Sequence, residues 1–215
     1  MHKLNKTKIK NHPQSRLYQL EIPIIGLTGS IATGKSTVAK FLTRKRIPLI
    51  DADQLVKEIY KTKECMDFIS QLCPESIHND MIDFKTLRQV FFAKANVKAE
   101  IEKFIYKRLP EQFNLSLSKL DFSQYNFVVY DVPLLFEKNL KPYLDLTVVC
   151  YSPANIQIER LMRRDAITRD QANTIIESQM DIEDKKHLAD FVIDNSFDKA
   201  HLEKEIEKFL SKILQ

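Results

Sequence analysis

The sequence predicts an α/β fold built on a parallel sheet, and three observations carry that prediction. Short apolar runs with strand character alternate with amphipathic helical segments along most of the chain. The chain's 3 glycines, Gly26, Gly29 and Gly34, all fall at the junction of the first strand and the first helix. Average usage would supply about fifteen in a chain of this length, so the backbone geometry at that junction is what glycine is kept for. Residues 62–120 interrupt the alternation with helical periodicity and no convincing strand.

Ile22 to Leu27 reads as the first strand, with Pro23 near its start, and Lys35 to Arg44 as the first helix, with Val38, Ala39, Phe41 and Leu42 apolar. Ile47 to Ile50 is a short second strand whose Pro48 favours a sheet edge. Asp53 to Lys61 is a helix with Leu55, Val56 and Ile59 on one side. Within the insertion, Asp83 can cap a helix carrying Leu87, Val90 and Phe91. A second helix carries Val97, Ile101, Phe104 and Ile105 and is expected to break at Pro110. Phe84, Phe91, Phe92 and Phe104 read as core of this insertion. Strands resume at Phe127 to Tyr130, ending in Asp131, and at Leu144 to Tyr151. Ser152-Pro153 is expected to cap and open a helix. Thr168 to Gln171 is a capping box. A last strand spans Phe191 to Ile193, and a final helix docks through Leu202, Ile206, Phe209, Leu210, Ile213 and Leu214.

Composition excludes several classes. At 44% hydrophobic and 29% charged the chain is neither disordered nor fibrous. No apolar run approaches a membrane span. Cys65, Cys73 and Cys150 form no metal or disulfide pattern and suit a reducing cytoplasm. The five histidines show no ligand spacing. Five of the 33 basic residues, and no acid, lie in residues 1–20; the first acidic residue is Glu21. Without that tail, 28 basic residues face 29 acidic ones, so the body has no nucleic-acid-binding charge. The tail has no apolar h-region and reads as a basic flexible segment whose removal leaves folding unchanged. The chain is expected to act in the cytoplasm on small molecules, as a monomer or weak homo-oligomer, with no nucleic-acid or membrane partner.

Gly29-Ser30-Ile31-Ala32-Thr33-Gly34-Lys35-Ser36 matches G-x-x-x-x-G-K-[ST] between a strand and a helix, the context a P-loop requires. Such a loop wraps phosphate with inward N–H groups, and the helix start adds its positive dipole end. Lys35 would reach the β- and γ-phosphates of a nucleoside triphosphate, and the Ser36 hydroxyl would ligate Mg²⁺. Asp131, at the end of a neighbouring strand, is the candidate metal carboxylate. Asp51 and Asp53 follow the second strand on the crevice side, where one could accept the proton of an attacking hydroxyl. The bland reading of Asp53 is a helix N-cap. Arg160, Arg163 and Arg164 share one helix face and could meet a transferring phosphoryl group, with Lys185 and Lys186 as lesser candidates.

Several segments together resemble the dephospho-coenzyme A kinase family. They are Ile25 to Thr37, Ile50-Asp51-Ala52-Asp53, Asp131-Val132-Pro133-Leu134-Leu135-Phe136-Glu137, Arg160 through Asp165, Gln179, Lys185, and Ala189 to Asn195. The resemblance covers residues 22–215. It implies transfer of phosphate from ATP to the ribose 3′-hydroxyl of dephospho-coenzyme A. It implies a P-loop NTPase three-layer fold with a five-stranded parallel sheet, a helical substrate-binding insertion and a helical lid. The nucleotide-binding core would take 21–61, 121–155 and 187–215, the dephospho-coenzyme A domain 62–120 and the lid 156–186. Asp53 would be the base, with Lys35, Arg160 and Arg164 also catalytic. ATP would meet Gly29, Ala32, Thr33, Gly34, Lys35, Ser36 and Thr37, with Asn195 beside adenine. Asp53, Asp131 and Leu134 would face the acceptor, and Ser36 and Asp131 would hold Mg²⁺. Two departures are Gly29-Ser30, where the family favours a glycine pair, and Tyr106-Lys107, where it often has His-Pro.

Two other readings stay open. One is a kinase of the same fold acting on a nucleoside monophosphate or shikimate. Adenylate-kinase-like enzymes would carry Asp-Gly-x-Pro-Arg where this chain has Asp131-Val132-Pro133-Leu134. The other is a regulatory module that binds ATP without turnover, against which Lys35, Ser36, Asp53 and Asp131 argue.

Overall fold

The computed structural model describes residues 2–79 and 81–215. The chain divides into two compact units, one comprising residues up to Asp51 with Leu120–Gln215, the other Ala52–Lys119. The insertion expected at 62–120 therefore starts ten residues earlier, because the helix after the second strand packs with the helical unit.

The first unit holds strands β1 (Ile24–Gly29) and β2 (Leu49–Asp51) and helix α1 (Lys35–Arg44). The second unit holds helices α2 (Ala52–Tyr60) and α3 (Lys63–Leu72), the short strands β3 (Ile77–His78) and β4 (Met81–Ile82), and helices α4 (Phe84–Ala93) and α5 (Ala95–Leu117). The chain then returns to the first unit with β5 (Val128–Asp131), β6 (Leu146–Tyr151), α6 (Ala154–Asp165), α7 (Arg169–Glu177), α8 (Ile182–Leu188), β7 (Phe191–Asp194) and α9 (Lys199–Ile213).

Five strands form one parallel sheet in the order β2-β5-β1-β6-β7. All six residues of the central β1 are buried, as a strand covered on both faces requires. Pro48 does precede an edge strand. Chain order reverses direction around β1, and the carboxyl ends of β1 and β5 flank that switch point, where such sheets bind ligands. The apolar stripe of α9 lies in the same buried cluster as Ile25, Val129 and Val148.

The helical unit has its own core around Ile69, Leu87, Ile101 and Ile105. It departs from expectation in three ways. β3 and β4 form a small antiparallel pair. Pro110 does not end its helix: α5 runs through it, anchored by buried Ile101 and Ile105 before and Phe113 after, and that packing outweighs one missing N–H. Phe84 and Phe92 are exposed, not core, while Phe91 and Phe104 pack against it.

The basic tail is a further correction. Residues 2–20 lie against the first unit in short turns instead of a flexible segment. Leu4 is buried in the sheet's core cluster and its N–H donates to Asn126 Oδ1 at 2.9 Å. Asn5 N–H reaches Ile213 O at 2.8 Å, and Lys10 pairs with Asp190. Arg16 Nε donates to Asp145 Oδ2 at 2.8 Å, with side-chain exposures of 5% and 0%. Asp145 also accepts the backbone N–H groups of Lys10, Asn11 and Ile24. Spaced lysines hid this, because the segment is held by polar anchors and scattered apolar contacts without periodicity.

Candidate active site

Glycine is needed where the P-loop turns. Gly34 has φ 90°, and a Cβ there would stand 2.1 Å from Asn195 Nδ2. A Cβ on Gly29 would stand 2.9 Å from Cys150 O. Ala32 is also left-handed, at φ 61°. These reversals bend the chain between β1 and α1, and the helix is started by Gly34 O, which accepts the Thr37 N–H at 2.8 Å and the Val38 N–H at 3.3 Å.

The loop is braced from behind. Thr33 O accepts Asn195 Nδ2 at 2.7 Å and Cys150 Sγ at 3.2 Å. Arg160 donates to Ser152 Oγ at 2.9 Å and to Asn195 O at 2.8 Å, with a longer approach to Thr33 O at 3.5 Å. Ser152 Oγ donates to Asn195 O at 2.7 Å, so it closes this brace and does not cap α6, whose N-cap position is Pro153. Burial pushes the Cys150 thiol up to about 12, which keeps it a protonated donor. Arg160 and Asn195 thus stand behind the loop, supporting its backbone. Arg164 is mostly exposed and pairs with Asp165.

At the front, Ser36, Asp51 and Asp131 line one cavity of about 360 Å³. Lys35 forms an ion pair with Asp131. Asp131 is almost wholly buried, held at the sheet's carboxyl edge by pairing with Leu27 and Asp51. The hydroxyl and two carboxylates are hard oxygen donors, the set Mg²⁺ takes when phosphate oxygens complete its shell. Among the described residues no group of three or more His, Cys, Asp or Glu side chains could hold a metal alone.

Asp53 is the second residue of α2 and not its N-cap. It opens a pocket of about 950 Å³ within the helical unit, shared with Lys57, Tyr60, Met66, Phe84 and Arg88. Tyr60 and Phe84 meet edge to face, with centroids 5.3 Å apart. Burial, with the ionisable groups of Cys65 and Glu102 nearby, lifts the Tyr60 hydroxyl to about 12, so it remains a donor. Leu134 is partly exposed in the turn after β5. Lys185, read as a phosphoryl candidate, is instead fully buried against Glu137 at 2.8 Å. Lys186 pairs with Glu183 on the surface. The braces at Cys150 and Ser152 were missed, since neither carries a motif.

Comparison with known proteins gives the family. Residues 23–201 match the dephospho-CoA kinase family. A dephospho-CoA kinase from Fusobacterium nucleatum is 35% identical over 196 residues, covering 90% of this chain and 100% of that relative. The structure of dephospho-CoA kinase from Campylobacter jejuni superposes with a TM-score of 0.65 at 27% identity, over 88% of this chain and 96% of that one. A crystal structure of a Thermus thermophilus protein reaches a TM-score of 0.78 at 28% identity, over 89% of this chain and 97% of that one. With a parallel sheet, a braced P-loop and this similarity along most of its length, the chain belongs to the dephospho-CoA kinase family.

Proposed function

We propose that the protein transfers the γ-phosphate of ATP to the ribose 3′-hydroxyl of dephospho-coenzyme A, in the cytoplasm and with Mg²⁺. The observation that carries the acceptor is the helical unit's pocket, which combines a carboxylate, the three cations Lys57, Lys61 and Arg88, and an apolar wall. Dephospho-coenzyme A needs all three: a hydroxyl to deprotonate, a diphosphate to neutralise and a long arm to shelter.

Ser36, Asp51 and Asp131 would hold Mg²⁺, which when bound neutralises phosphate charge and orients the terminal phosphoryl group. Lys35 pairs with Asp131 at the mouth of the loop, and its ammonium would serve the β- and γ-phosphates. The backbone of Ala32 to Thr37 cradles the phosphates, kept in shape by Asn195 and Arg160. Asp53 accepts the 3′-hydroxyl proton at its carboxylate as the new phosphorus–oxygen bond forms. Lys57 and Arg88 neutralise the acceptor's diphosphate, while Met66 and Phe84 shelter its arm. Three buried, unbridged thiols suit a reducing compartment.

Incubation with γ-labelled ATP and dephospho-coenzyme A tests this reading, with shikimate and nucleoside monophosphates as rival acceptors. The expected product is labelled coenzyme A. Label on a rival acceptor and none on dephospho-coenzyme A overturns the assignment, and ATP binding without transfer to any acceptor leaves the regulatory alternative.

A further inference from the structure

We infer that Gln179 is a positioning residue for the nucleotide's phosphates, acting through the P-loop backbone and required to be uncharged. Its side-chain Oε1 accepts the N–H of Ile31, inside the loop, at 3.0 Å. Gln179 lies in the connection between α7 and α8, about 150 residues away along the chain. A loop whose amides bind an anion is sensitive to which amides are already engaged. Gln179 engages one from outside, so the crown of the loop keeps its curvature before nucleotide arrives.

The mount of Gln179 is tied to the P-loop strand through a chain of hydrogen bonds and one buried ion pair. Its neighbour Met180 accepts Ser30 Oγ at 3.4 Å and donates its N–H to Glu137 Oε1 at 3.2 Å. Glu137 pairs with the fully buried Lys185 at 2.8 Å. Lys185 Nζ donates to Pro133 O at 3.2 Å, and Pro133 O also accepts Thr28 Oγ1, from β1, at 3.1 Å. The circuit is closed: it leaves the P-loop strand at Thr28 and returns to the loop at Ser30 and Ile31. A buried lysine–glutamate pair is weak evidence for stability but suits the fixing of one geometry. Here that geometry holds the 179–180 backbone against the P-loop.

Neutrality distinguishes this role from simple scaffolding. A glutamate at 179 keeps the acceptor oxygen and the chain length but sets a negative charge within hydrogen-bond reach of an anion-binding loop. Two like charges about 4 Å apart in a partly screened site repel by enough to change affinity tenfold or more. The penalty grows with the ligand's charge and shrinks with salt.

The test is calorimetric titration of Gln179→Glu and Gln179→Met with ATP and with ADP, without acceptor, beside melting temperatures. It rests on the nucleotide-binding part of the kinase reading only; failure of the acceptor assignment shows in wild-type transfer assays and leaves these titrations untouched. Gln179→Met, which loses the acceptor, is expected to weaken ATP binding about three- to tenfold with its melting temperature retained. Gln179→Glu is expected to weaken ATP about tenfold or more and ADP less, with the gap narrowing at high salt. Wild-type affinity in either folded variant overturns the proposal. So does an equal loss for ATP and ADP in Gln179→Glu that is matched by a fall in melting temperature. Should Gln179→Glu fail to fold, Gln179→Met decides alone on the same criterion.

Discussion

Asp51 and Asp131 are register partners on adjacent parallel strands, so their carboxylates reach one cavity beside Ser36 from neighbouring strand ends. Asp131 also carries the ion pair with Lys35. Asp131→Asn is expected to lower apparent Mg²⁺ affinity by about 10- to 100-fold, the range for groups that tune a metal site. Asp51→Asn is expected to do so less. Turnover measured against Mg²⁺ concentration checks both, and an unchanged Mg²⁺ dependence in Asp131→Asn refutes its metal role.

Lys35→Ala is expected to nearly abolish turnover in a protein with an unchanged circular-dichroism spectrum. Its ammonium offsets charge on the transferring group in a site where water is a poor substitute. Activity within about tenfold of wild type, a barrier change near only 1.4 kcal/mol, would rule the role out.

Asp53→Asn keeps the side-chain shape but is a far poorer base. Turnover is expected to fall about 10²- to 10⁴-fold with ATP affinity little changed. Single-turnover rates and ATP titration check the split. Loss of ATP binding instead would move the base elsewhere, with Asp131 next to be tested.

Arg16→Met removes the partner of a wholly buried carboxylate, Asp145. Breaking such a pair costs about 3 kcal/mol or more. Three backbone N–H donors to Asp145 remain, which places the expected loss near the lower end. Deleting residues 2–20 should cost more, since it also uncovers the core around Leu4. Thermal or urea unfolding measures both, and a deletion as stable as wild type would show that the segment contributes nothing.

Asp190 links this segment to acid stability. Its burial raises the carboxyl pKa, but hydrogen bonds from Lys10 and from Thr147 N–H and Oγ1 outweigh that and hold it below 3.8. A group depressed in the folded state stabilises fully above its unfolded pKa, and that contribution is lost as pH falls through the folded value. Lys10→Ala should therefore lower stability at neutral pH and flatten its decline below about pH 4. Unfolding curves from pH 7 to 2.5 test this; parallel wild-type and variant profiles would discount the pair.

The legible parts of the structure were those with local signatures. Lys35–Arg44 has its predicted limits because Gly34 and the loop motif start it. The capping box at Thr168 and Gln171 formed as its spacing required. Asp131 was legible as the carboxylate closing an apolar run. What escaped depends on partners far along the chain. Nothing near Arg160 says that its guanidinium meets carbonyls behind the P-loop, and nothing near Lys185 says that Glu137 awaits it. Pro110 follows the same logic in reverse: its local signal is a break, and the buried residues on either side override it.

Asp145 follows Arg16 by 129 residues, and Ile213, partner of Asn5, comes later still. During synthesis residues 2–20 therefore emerge before their docking surface, and the sheet must be assembled before they can settle. A segment translated well before its docking partners is among the last to find its place. A chain arrested before Asp145 is made lacks the Arg16 anchor, and one arrested before Ile213 lacks the Asn5 anchor. Exposure of residues 2–20 thus marks a sheet not yet assembled, and limited proteolysis of ribosome-bound intermediates would read that order directly.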